Sequence, residues 1–126
     1  MKRFTLIILF ASIIFSFSFR NDSNPLTGGW EMTSKTPSGD KMVIAALFRK
    51  NGTYDGFANN KSFVTGSYHL KHDIIYISDA TCNIKYEGTY KLRFMGQRDS
   101  VQFMAIQDTC KGRYSGVNGF VFKKVK

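Results

Sequence analysis

Several residue types are scarce in this chain, and their scarcity limits the chemistry it can carry. The 126 residues include two cysteines, two histidines, one tryptophan and only nine acidic residues. Motifs of redox centres, serine hydrolases, phosphate-binding loops and metalloproteases (Cys-x-x-Cys, Gly-x-Ser-x-Gly, a phosphate-binding glycine loop and His-Glu-x-x-His) are all absent. We therefore expect a protein that is not an enzyme, with no catalytic residues and no cofactor.

The two histidines are also poor metal ligands by position. His69 falls at a predicted strand end and His72 in a predicted turn, next to Asp73. No cysteine lies near them and there is no third histidine to complete a zinc-like set. We expect no metal site.

The only long apolar run of the chain lies at its start. Residues 2 and 3 are basic, residues 4–15 are almost wholly apolar, and Ser16 and Ser18 are small residues two apart. This order is typical of a secretory signal peptide, predicted over residues 1–18, with cleavage near Ser18 and no lipid-modified cysteine. The alternative is an uncleaved anchor, but the run is shorter than the about 20 residues of a membrane span. Both predict an extracytoplasmic domain, periplasmic or secreted, and cleavage would leave no stable membrane span.

Positive charge dominates the rest of the chain. The net charge is +9, and loss of Lys2 and Arg3 would leave 16 basic residues against 9 acidic ones, or about +7. A basic exported protein can contact anionic groups at a cell surface. The basic residues are scattered, however, except for the cluster at 123–126, which favours an ordinary solvated surface. Export makes nucleic acid an unexpected partner.

The two cysteines, Cys82 and Cys110, are expected to pair because exported chains usually oxidise their cysteines. The bridge would close a loop of about 29 residues and stabilise the fold by about 3.5 kcal/mol. The alternative is a pair of buried free thiols.

After a flexible lead-in over residues 19–27, the chain reads as short strands joined by turns. Asn51-Gly52 is a strong hairpin signal, and apolar and charged residues alternate from Ile84 to Phe94, as in a half-buried strand. No helical periodicity is evident, and residues 108–112 read as a loop. The predicted strands are 28–35, 42–49, 53–58, 62–70, 74–78, 84–94, 100–107 and 119–125. We predict an all-β domain over residues 28–126, an antiparallel up-and-down β-barrel of about eight strands.

The first predicted strand opens with a Gly-x-Trp motif, Gly28-Gly29-Trp30. In an exported antiparallel barrel of this length, the motif resembles the lipocalins of the calycin superfamily, in particular small lipocalin-like bacterial domains. Later spacings fit the same resemblance: Gly52-Thr53-Tyr54, Gly66-Ser67-Tyr68, Gly88-Thr89-Tyr90 and Asp108-Thr109-Cys110-Lys111-Gly112-Arg113. The chain lacks the C-terminal helix that packs on the barrel of typical lipocalins, and it lacks their Thr-Asp-Tyr motif.

The resemblance implies a cup-like barrel that often holds a small apolar molecule. It also implies structural roles for Gly28 and Trp30 at the closed end of the barrel, with Arg113 packed across the Trp30 ring as a cation–π partner. These residues would support the fold and would not contact the ligand.

Aromatic residues are abundant, with 12 Phe and 6 Tyr, and those on inward strand positions are the candidate ligand contacts. We predict a binding protein, expected to be a monomer, for a small hydrophobic or amphipathic ligand in the barrel. The alternative is a barrel filled by its own side chains, acting as a structural or interaction module at the cell surface. The candidate ligand contacts are Phe48, Tyr54, Tyr68, Tyr86, Tyr90, Phe103 and Phe120.

Overall fold

The computed structural model describes residues 24–125, so the predicted signal peptide over residues 1–18 lies outside the described residues. No helix within the described range is long and apolar enough to cross a membrane. The strands are β1 (Gly28–Lys35), β2 (Lys41–Phe48), β3 (Thr53–Ala58), β4 (Lys61–Lys71), β5 (Ile74–Asp79), β6 (Gly88–Met95), β7 (Ser100–Gln107) and β8 (Val121–Lys124), and helix α1 (Lys111–Val117) lies between β7 and β8.

The eight strands form one closed antiparallel barrel in which each strand pairs with the next along the chain. The closing contact is short: β8 meets β1 through the pairs Trp30–Lys124 and Glu31–Lys123. Closure leaves no unpaired sheet edge, which a meander of this length would otherwise expose. The predicted all-β up-and-down barrel is thus confirmed, and its architecture fits a calycin-like fold.

Because successive strands run in opposite directions, their connections alternate between the two ends of the barrel. The lower end carries the turns at 49–52, 72–73 and 96–99, together with residues 24–27. The upper end carries the turns at 36–40 and 59–60 and the longer segments 80–87 and 108–120, the second of which contains α1. The upper end therefore has the longer connections, where a site has most room to form.

Aromatic side chains fill the barrel toward its lower end. The rings of Phe48 and Tyr68 meet edge to face with centroids 5.0 Å apart, and Phe103 and Phe122 do so at 5.4 Å. Trp30 is fully buried beside them. Edge-to-face pairs add to the stabilisation from burial alone, so this aromatic layer anchors the fold.

The hairpin predicted at Asn51-Gly52 forms, although its geometry differs from the two-residue turn that this dipeptide commonly makes. The Gly52 amide donates to the Arg49 carbonyl at 3.2 Å and the Arg49 amide donates to the Thr53 carbonyl at 2.9 Å. Within residues 49–53 only Gly52 has a positive φ, of 86°. This is a longer hairpin loop in which glycine takes the left-handed position, while the Asn51 side chain accepts a hydrogen bond from the Thr53 amide.

The lead-in is packed over its last residues, 24–27, where flexibility was expected. Leu26 is fully buried, and its carbonyl accepts a hydrogen bond of 2.7 Å from the Trp30 indole nitrogen. Asn24 donates to the Tyr68 hydroxyl at 2.8 Å. These residues close the lower end of the barrel.

The long strand predicted from Ile84 to Phe94 is wrong in its first part, because β6 begins only at Gly88. The Asn83 side chain accepts a hydrogen bond from the Lys85 amide, and its carbonyl accepts one from Tyr86. Such local bonds compete with strand pairing. Residues 80–87 consequently form a loop that leaves Ile84 exposed.

Helix α1 was missed where residues 108–112 were read as a loop. Its sequence, KGRYSGV, contains two glycines and has no side-chain cap, and only Arg113 is buried. A helix this short is not stable by itself. Tertiary contacts of Arg113 and of the preceding Cys110 hold it in place.

Candidate functional site

A cavity of about 530 Å³ lies between the aromatic layer and the upper end of the barrel. Its walls are mostly apolar, with Ser34, Thr81 and Ser115 as the aliphatic hydroxyl groups and Tyr54 as a phenol. A volume of this size lies within the range of small-molecule sites, about 300–1,000 Å³. The apolar side chains that line it are Met32, Met42, Ile44, Ala45, Ala46, Phe63, Val64, Ile77 and Val117, in addition to Trp30 and the aromatic rings discussed below.

Helix α1 covers part of the cavity as a roof. Gly112, Ser115, Gly116 and Val117 all contribute to the lining. The residue just before α1, Cys110, is joined to Cys82 in the 80–87 loop by a disulfide with a Cα–Cα distance of 5.8 Å. The predicted cysteine pairing is therefore confirmed, and it links the two upper-end segments that flank β6.

Beneath the roof, Arg113 lies between two aspartates that reach it from different parts of the chain. Its Nε and one terminal nitrogen donate to the two oxygens of Asp108, at 2.7 and 3.0 Å. The other terminal nitrogen donates to Asp79 at 3.1 Å. The three side chains are at most 5% exposed, so all three charges lie in the protein interior.

Two tyrosines complete this group, which we call the Arg113 cluster (Arg113, Asp79, Asp108, Tyr54 and Tyr90). The Tyr54 hydroxyl donates to Asp79 and the Tyr90 hydroxyl donates to Asp108. Backbone amides of Thr81 and Cys110 donate to the same two carboxylates at 2.9 Å each. Each buried carboxylate is thus held by several donors, as buried charge requires.

These contacts determine the protonation states of the cluster. Burial raises the pKa values of Tyr54 and Tyr90, and their hydrogen bonds to carboxylates raise them further. Burial alone would raise the pKa values of Asp79 and Asp108, but the hydrogen bonds they accept outweigh it and the net shift is downward.

Burial opposes the charge of Arg113 as well, yet its bonds to Asp108 and Asp79 raise its pKa. Near neutral pH the phenols therefore stay protonated, the carboxylates stay ionised and the guanidinium stays charged. The cluster presents fixed charges and contains no group whose pKa suits proton transfer near neutrality.

The predicted ligand contacts separate into three groups. Phe48, Tyr54, Phe103 and Phe120 line the cavity. Tyr68 and Tyr90 are buried in the barrel but are not part of the lining. The Tyr68 hydroxyl donates to the Arg49 carbonyl at the lower end, at 2.6 Å, and Tyr90 belongs to the Arg113 cluster.

Tyr86 forms the third group, because it lies in the 80–87 loop and not in β6. Its hydroxyl accepts a hydrogen bond of 3.0 Å from the Thr109 amide. The phenol thus joins the two upper-end segments and does not project into the barrel. The period-two pattern predicts an inward Tyr86 because it extends the strand back to Ile84, whereas β6 begins at Gly88.

The predicted cation–π partner of Trp30 is wrong. The cation over the Trp30 ring is Lys124, whose Nζ lies 5.8 Å from the ring centroid. Arg113 cannot take that place because its guanidinium is bound to Asp79 and Asp108. Trp30 lies toward the lower end, where it forms part of the cavity floor, and Gly28 adopts a left-handed φ of 119° at the start of β1.

Asp79 and Asp108 are the functional candidates that sequence reasoning missed. The signal for Asp79 was available: Ile75, Ile77 and Asp79 alternate on β5, and all three are buried. An acidic residue on an inward face needs a buried partner, and Arg113 is that partner. For Asp108, which follows β7 in an irregular segment, no comparable pattern exists.

Outside the cavity, His69 stacks on Tyr76 with ring centroids 4.5 Å apart, and its Nδ1 lies 3.6 Å from Glu87. Within residues 24–125, no three His, Cys, Asp or Glu side chains come together in a way that could hold a metal ion.

A scan against protein-family models finds no match for this chain. A search of curated proteins finds no match either.

Proposed function

We propose that this chain is an exported lipocalin-like binding protein that holds a small hydrophobic or amphipathic molecule inside its barrel. The observation that carries the proposal is the apolar cavity of about 530 Å³ above the aromatic layer. Binding would proceed by burial of the ligand's apolar surface, at about 25 cal/mol per Å², with no bond made or broken.

Three features support this assignment. The barrel is closed and its lower end is filled, so the cavity has a fixed floor. The roof helix is held by a disulfide and by buried ion pairs, which makes the site largely preformed. The disulfide is also consistent with an extracytoplasmic location.

A second candidate function is a surface interaction module. The outward side chains Met104 and Ile106 on β7 and Val121 on β8 are exposed. Met104 and Ile106 lie on the same outer face of β7, and an exposed apolar patch can mark a contact surface. This reading needs no ligand, so an interior binding test separates it from the first.

The test is titration of the purified protein with Nile red, an uncharged dye whose fluorescence rises in apolar surroundings. We expect saturable binding by the native protein and its loss in Ala46→Phe, because Ala46 lines the cavity and a phenyl ring would occupy it. Ala80→Phe, the same substitution at an exposed loop position, is the matched control and should bind normally. Equal binding by all three proteins, or by none, would contradict interior binding.

A further inference from the structure

The buried Arg113 cluster beside the cavity has a net charge opposite in sign to that of the protein as a whole. Asp79 and Arg113 are the only charged side chains lining it among the described residues. Arg113 is already bound to both Asp79 and Asp108. Two carboxylates against one guanidinium leave the cluster with a net charge of about −1 near neutral pH, whereas the chain as a whole carries +9.

A ligand carboxylate inside the cavity would find no free cation. The guanidinium donates three of its five N–H groups, one to Asp79 and two to Asp108, and the two carboxylates more than neutralise its single positive charge. An unpaired buried charge is strongly disfavoured. An ammonium group, in contrast, would face a site of opposite net charge, and a hydroxyl could bond to Ser34 or Ser115.

Exposed lysines at the upper rim of the barrel would instead attract anionic ligands. Lys35, Lys41 and Lys61 stand at strand ends around the opening and are all exposed. Their field is screened by salt within about 8 Å at physiological ionic strength. The Arg113 cluster is buried, and charges in the interior are screened much less. For a molecule small enough to be enclosed in the cavity, the field of the buried Arg113 cluster should therefore affect affinity more than the field of the rim lysines.

We propose that the cavity selects uncharged or cationic apolar molecules and rejects carboxylates. The inference deepens the proposed binding function and rests on it. It reverses the simplest expectation from composition, which is that a basic protein favours anionic ligands. The specificity would come from Asp79 and Asp108 together, because either carboxylate alone would only neutralise Arg113.

The experiment compares three ligands that differ only in the head group: decylamine, 1-decanol and decanoate, each competing with Nile red at neutral pH. We expect decylamine and decanol to displace the dye, with decanoate weaker than decanol by at least about tenfold. Decanoate binding as tight as that of decanol would overturn the inference and leave the binding function intact. If none of the three displaces bound dye, the inference fails; if the dye itself does not bind, the binding function fails too.

Two variants and a change of salt concentration test whether the buried charge causes the difference in affinity. Asp79→Asn makes the cluster neutral and should reduce the difference in affinity between decanol and decanoate. Asp40→Asn, at the exposed rim, should leave that difference unchanged. If Asp79→Asn does not fold, the comparison of the three ligands on the native protein still tests the inference. The difference in affinity should persist at about 0.5 M salt, because a buried charge is little screened. A difference that salt abolishes would also overturn the inference.

Discussion

Arg113 is the residue on which the upper part of the molecule depends. Its guanidinium is buried and joins α1 to β5 through Asp79 and to the end of β7 through Asp108. Removing one partner from a buried ion pair costs more than the pair itself contributes, because the other charge is left unmatched. The cluster therefore positions the roof and sets the charge of the cavity.

Asp108→Asn should lower the free energy of unfolding by about 2 kcal/mol near neutral pH, since Arg113 loses the ionised acceptor of two charge-assisted hydrogen bonds. The pKa of Asp108 is lowered in the folded state, so the unfolded chain takes up its proton first as pH falls. The stabilisation from Asp108 is thus complete above its unfolded-state pKa and is lost as pH falls through the folded-state pKa. Urea unfolding at several pH values from about 3 to 7 measures both effects.

The difference between native protein and Asp108→Asn should accordingly shrink toward acid pH. Asp99→Asn, at an exposed lower-end turn, is the matched control and should change stability by less than about 0.5 kcal/mol. A difference as large at the acid end as at neutral pH would show that ionisation of Asp108 is not its source.

At this scale the sequence predicted part of the site. Phe48, Phe103 and Phe120 were placed inside from strand alternation, and they line the cavity. The pairing of Arg113 with Asp79, 34 residues earlier, could not be predicted. It depends on which upper-end segments the closed barrel brings together, and alternation within one strand does not contain that information.

Among the elements, α1 owes its existence to tertiary contacts. Within the helix only Arg113 is buried, and the disulfide holds the residue before it. Local propensity disfavours a seven-residue helix with two glycines. A pattern search therefore reads a loop, and the helix appears only when the barrel provides its anchors.

Replacing both cysteines with alanine should lower the free energy of unfolding by about 3.5 kcal/mol, because the bridge no longer restricts the unfolded chain. It should also loosen the roof and weaken Nile red binding. Mass spectrometry after alkylation checks the bridge directly: the native protein should gain two labels only after reduction.

The single variant Cys82→Ala is the control for that labelling, since it leaves one thiol that should react in unfolded protein without a reductant. Two labels on unreduced native protein, unfolded in denaturant, would contradict the disulfide. Unchanged stability of the double variant would show that the bridge contributes nothing to the fold.

For the whole molecule, the predicted export explains why the disulfide can form, because disulfides persist outside the reducing cytoplasm. Protein recovered from outside the cytoplasm should begin near Phe19, because residues 1–18 have the basic, apolar and small-residue regions of a signal peptide. Intact mass and N-terminal sequencing measure this. Ile8→Arg, which interrupts the apolar region, should block processing, and full-length protein held in the membrane fraction would favour the uncleaved anchor.

The sequence by itself predicted eight strands in their order along the chain, and it favoured the cysteine pair. Alternation and turn residues are local signals, and Thr53–Ala58 and Ser100–Gln107 were predicted to the residue. Only the tertiary structure decided that the aromatic residues fill the lower end while the upper end stays hollow, and that Lys124 and not Arg113 covers Trp30. The physical reason is that closing a barrel sets the stagger between strands, and the stagger determines which side chains distant in sequence meet.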